Sequence, residues 1–190
     1  AFFHCNGLPY DTFYCPPLRD SIGNAMLSRA IKRAGNVVLV SKLLQSDSLA
    51  ASDAEDVFDS LQVSDPLYRD SAFAEGFASL ETNAAFQEDV KTCRSFNPKM
   101  DVYGKRQLAF SVQMAMLYDS AKTEEFLTRD NFSEIINFRG NMADFYNQSN
   151  YKLAFYAIDV NQIFEGSFLP GMIKDKVVIL GFLGNEFGDP

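Results

Sequence analysis

Two short apolar stretches, Ser133–Gly140 (S-E-I-I-N-F-R-G) and Asp175–Gly184 (D-K-V-V-I-L-G-F-L-G), each run into polar or glycine residues. Buried parallel strands that deliver loops to one sheet edge have this pattern. The two are therefore read as partner strands of an α/β domain. Its expected form is a mostly parallel central sheet with helices on both faces, in three layers.

The rest of the chain is read around that pair. Leu27, Ala30, Ile31 and Ala34 recur at helical spacing, with Asp20 or Ser21 to cap the start and Lys32 and Arg33 at the negative end of the dipole. Gly35 and Asn36 stop that helix, and Val37–Val40 follows as a β-branched strand. Ser52 and Glu55 form a capping box for a short helix through Leu61, with Val57, Phe58 and Leu61 on its buried side. Pro66 breaks the pattern, Phe73–Leu80 reads as a strand containing Gly76, and Val90–Phe96 as a half-exposed strand beside it. After a turn over Asn97–Gly104, Leu108–Ala121 carries a well-covered helix, followed by a short one at Thr123–Arg129. Strands are expected at Ile135–Phe138, Leu153–Ile158 and Val177–Leu180, and a helix at Val160–Phe164 capped by Asp159 and ended by Gly166.

At 190 residues the chain is read as one domain over 1–190, long enough to bury a core without staples. Its 18 Phe and 8 Tyr, with no Trp, point to a core of packed rings. A net charge of -8 argues against a nucleic-acid partner, which needs a basic face, and disfavours anionic lipid. No run reaches the length of a membrane span, and the first residues lack the basic start of a signal peptide. Cys5, Cys15 and Cys93 have no metal-site spacing. Outside the cytoplasm Cys5 and Cys15 can close a short loop, contributing roughly 2–3 kcal/mol; three reduced thiols are the other reading.

Chemistry is sparse. The single histidine, His4, sits in a proline-rich loop and there is no G-x-S-x-G elbow, so no hydrolase triad, no metal site and no cofactor is expected, and the chain is read as not an enzyme. The turn residues Lys176, Gly181, Gly184, Gly188 and Asp189 invite a phosphate-loop reading, but Asp189 follows the last glycine and would repel phosphate. Arg94 and Arg139 are candidates for an anionic ligand, because guanidinium matches carboxylate or phosphate with paired donors. Each can equally be a structural arginine. Asn137 joins them as a ligand candidate, and Asp159 is a helix cap or a ligand or acid site.

The last third resembles the second type of CHASE domain, the cyclase and histidine-kinase associated sensory extracellular family. The likeness rests on I-N-F-R-G at Ile136–Gly140, Y-A-I-D-V-N-Q-I-F-E-G at Tyr156–Gly166, L-P at Leu169–Pro170, K-D-K-V-V-I-L-G at Lys174–Gly181 and G-D at Gly188–Asp189. Leu27–Val40, Glu75–Leu80 and the stretch around Arg94 fit more loosely. The family opens with a strand, a helix and a second strand, of which only Ala1–Phe3 has a counterpart, so the chain is read as lacking its first strand and helix. Asn83–Asp89 also lacks the family's D-G pair. The resemblance implies a bacterial sensory input module on the periplasmic face of the cytoplasmic membrane, held there by flanking segments. It would take an unidentified small-molecule or peptide signal, and a homodimer is compatible with it. The alternative is an envelope interaction module that recognises another protein through Tyr146 and Tyr151.

Overall fold

Asp20 begins the first element. Its carboxylate accepts from the Gly23 N–H at 2.8 Å, which satisfies one of the open donors at the start of α1 (Ser21–Ala34). The computed structural model describes residues 20–46, 49, 57–78, 93–138 and 158–181. These fall in two compact units, 20–135 with 181, and 136–180.

In the first unit α1 ends at Gly35, whose φ of 66° lets its N–H close on the Ile31 carbonyl at 3.1 Å. The chain then extends into β1 (Val38–Leu44). Cap, stop and strand agree with the sequence reading, but the helix face does not. Of Leu27, Ala30, Ile31 and Ala34 only Ile31 is buried, and the second buried residue of α1 is Ser28. Ser28 Oγ donates to the Leu67 carbonyl and also meets Ser71 Oγ, both at 2.9 Å, while Tyr68 donates to Asn24 Oδ1 at 2.8 Å. Polar contacts to the short helix α2 (Pro66–Arg69) thus orient α1. Pro66 opens that helix where a break was expected, because a first-turn residue needs no intrahelical N–H bond.

β1 lies between β2 (Ser60–Gln62), antiparallel with Lys42 opposite Gln62, and β3 (Ala74–Phe77), parallel with Val38 opposite Ala74. Of the helix expected from Ser52 through Leu61, residues 52–56 lie outside the described residues, 57–59 are irregular, and Ser60 and Leu61 belong to β2. β5 (Lys99–Val102) and β6 (Lys105–Leu108) form a hairpin inside and beyond the stretch read as a plain turn. Its two central residues, Tyr103 and Gly104, have φ of 51° and 69°, the positive pair that a type I′ turn requires. Tyrosine there is strained, so Tyr103→Asn is expected to raise stability by about 0.5–1 kcal/mol, read as a higher thermal midpoint. An unchanged or lower midpoint would show that the ring contributes packing worth more than the strain.

β4 (Ser95–Phe96) pairs antiparallel with β7 (Glu134–Ile135), Ser95 opposite Ile135, and not with β3 as expected. The long helix read over Leu108–Ala121 is two helices, α3 (Phe110–Tyr118) and α4 (Ser120–Leu127). Leu108 belongs to β6, opposite Lys99. Asp119 breaks the run at φ -152°: its carboxylate accepts from the Lys122 N–H at 3.1 Å and its N–H closes α3 on the Ala115 carbonyl at 2.8 Å. Aspartate competes with the helix for its own backbone, so it divides what apolar spacing joins.

The core of this unit is Leu43, Phe77, Met100, Val102, Ala109 and Val112, with Phe58, Leu61, Phe96, Leu108, Phe126 and Leu127 packed around it. It brings together β1, β3, the hairpin and α3, and Phe77 is its most buried side chain. β3 runs on to a single parallel bridge between Phe77 and Ala109.

In the second unit Asp159 caps α5 (Val160–Glu165) through a capping box. Its carboxylate accepts from the Asn161 N–H at 2.8 Å and the Gln162 side chain accepts from the Asp159 N–H at 2.9 Å. Gly166 at φ 67° closes the helix, with the Ser167 N–H returning to the Gln162 carbonyl at 2.9 Å. Both ends agree with the sequence reading to within a residue. A 3₁₀ turn at Pro170–Met172 follows.

The expected architecture is overturned. Among the described residues there is no extended parallel central sheet, only a mixed three-stranded sheet and two two-stranded antiparallel ones. Neither stretch supplies a strand to a parallel pair among the described residues. The first stretch yields only β7, paired antiparallel, and Ile136–Phe138 is irregular. Val177–Leu180 forms no strand and is between 55% and 70% exposed. A two-residue turn, as in the β5–β6 hairpin, can only join antiparallel strands, whereas each parallel pair needs a crossover of a dozen or more residues. Leu153–Ala157 lies outside the described residues, as does the Cys5–Cys15 loop.

Candidate functional site

Of the candidate residues named from sequence, Arg94, Asn137, Asp159, Lys176 and Gly181 are among the described residues. Arg94 is exposed, one residue before β4, and Asn137 is exposed after β7. Asp159 spends its carboxylate on the α5 cap. Lys176 is exposed in the turn after Asp175, its N–H bonded to the Ile173 carbonyl at 3.2 Å, and Gly181 has open space around its Cα. Arg139, Gly184, Gly188 and Asp189 lie outside the described residues, as do Tyr146 and Tyr151.

One polar grouping among the described residues is not revealed by spacing. It forms where the end of α4 meets β5 and β7. Lys99, on β5, makes an ion pair with Asp130 across 31 positions of sequence. Arg129 Nη1 lies 3.9 Å from Glu134 Oε1, which also accepts from Asn131 Nδ2 at 2.9 Å. The Arg129 guanidinium stands 5.3 Å from the Phe126 ring centroid, within cation–π range. Pro98, Lys99, Phe126, Leu127, Asp130, Asn131 and Glu134 surround a shallow dent that encloses no volume a water molecule could occupy. Lys99 pairs with Asp130 and Arg129 lies near Glu134, so the grouping ties a helix end to two strands.

The sequence signal for it was the run R-D-N-F-S-E at Arg129–Glu134, dense in polar groups just past a helix. Only Lys99 could not have been attached to it. Asp130 adopts φ 54°, a left-handed conformation that aspartate and asparagine tolerate best among non-glycine residues.

The Lys99 ammonium holds the Asp130 carboxyl below its ordinary value by a hydrogen bond and by charge. Hydrogen bonds to the Lys122 N–H and ammonium lower Asp119, and those from the Ser46 hydroxyl and N–H lower Asp59. A lowered carboxyl contributes stability above the unfolded value, near 3.9, and loses it as pH falls through the folded one. The protein is therefore expected to lose stability below about pH 4. Asp130→Asn keeps the left-handed turn but removes one titration. Its thermal midpoint is expected below the parent's at pH 7 and to converge with it by about pH 2. A difference that stays constant over that range would exclude the ion pair as its source.

Asn97 is buried in this unit. Its Nδ2 donates to Met100 Sδ at 3.4 Å, while its Oδ1 has no hydrogen-bond partner among the described residues. Cys93 is a free thiol whose Sγ donates to the Ser95 carbonyl at 3.2 Å. Among the described residues no group of three or more His, Cys, Asp or Glu could hold a metal ion, and no helix is long and apolar enough to cross a membrane.

Compared with protein-family models, with curated proteins and with solved structures, the chain finds no match in any of the three.

Proposed function

We propose that the chain is an extracytoplasmic sensory input domain of a membrane-bound bacterial signalling protein, responding to a small molecule or peptide. The reading is carried by one observation, the ordered run from I-N-F-R-G through D-V-N-Q-I-F-E-G and L-P to K-D-K-V-V-I-L-G, with its spacing. The local structure of that run is compatible with a module that shapes loops: Asp159 caps, Gly166 closes, and Pro170 opens a tight turn. Signalling then requires that the ligand bind one arrangement of the domain better than another, since equal affinity shifts nothing. The parallel three-layer sheet is no part of this proposal.

Tyr103, 77% exposed at the hairpin tip, gives a direct test. In the full-length protein with its natural cysteines changed to serine, Tyr103→Cys is expected to react with a membrane-impermeant maleimide on intact spheroplasts. Labelling that appears only after lysis would overturn the proposal.

A further inference from the structure

We draw no further inference here: the strongest candidate, the surface patch on α1 where exposed Ile22 and Met26 run in line with Arg29 and Arg33, is an unpartnered face and nothing in the structure shows what covers it.

Discussion

Phe77→Ala is expected to lower folding stability by about 3–5 kcal/mol, the range for removing a fully buried ring. Phe77 is 2% exposed and packs in the cluster with Leu43 from β1, Met100 and Val102 from the hairpin, and Ala109 and Val112 at the start of α3. Truncation loses the transfer free energy of the ring and leaves a cavity, and elements from four parts of the chain cannot all close on it. Single domains are stable by only about 5–15 kcal/mol, so the loss is a large fraction of the total. In urea the midpoint should fall with an unchanged slope, and Phe77→Leu should fall less. A loss under about 1 kcal/mol for Phe77→Ala would mean that this cluster is not the centre of the unit.

Gly76→Ala is expected to cost about 1–3 kcal/mol, toward the upper end. A Cβ at this position would lie 2.7 Å from Phe110 Cα, 2.8 Å from Phe110 N and 3.0 Å from the Ala109 carbonyl carbon. These are backbone atoms at the start of α3 and cannot rotate aside, so β3 and the helix would have to separate. That movement would also strain the Phe77–Ala109 bridge. The sign is informative, because glycine to alanine at an unstrained, open position stabilises by about 0.4–1 kcal/mol through the unfolded chain. Gly171, with nothing within 4 Å of its would-be Cβ, is the control, and Gly171→Ala should be neutral or better. Equal effects at the two sites would rule out the close approach. Gly76 and Phe77 are neighbours, so the double variant is not expected to be additive.

The parts of the fold legible in sequence are those in which the deciding atoms are a few residues apart. Asp20 and Gly35 bracket α1, and Asp159 and Gly166 bracket α5, through bonds that span no more than one or two turns. β1 and β3 were legible as a β-branched run and as an apolar stretch with a glycine. The hairpin was missed although K-M-D-V alternates ahead of a Y-G turn, because tyrosine stands where asparagine or aspartate is usual and the second arm, K-R-Q-L, does not alternate. Among the described candidate site residues, the capping role of Asp159 was readable for the same local reason. The Lys99–Asp130 pair was not, since 31 positions of sequence separate its members.

The sequence by itself determined where α1 and α5 start and stop and which residues are apolar enough to seek cover, because capping bonds, positive φ and side-chain hydrophobicity are properties of short segments. Tertiary structure decided which strands pair and in what direction, and which apolar faces are covered. Val177–Leu180 makes the difference plain: four apolar residues, two of them valines and one an isoleucine, have every local reason to be a strand, yet stand exposed without a ladder among the described residues. A strand exists only when a neighbouring backbone accepts and donates its hydrogen bonds, and that neighbour is not encoded in the segment itself.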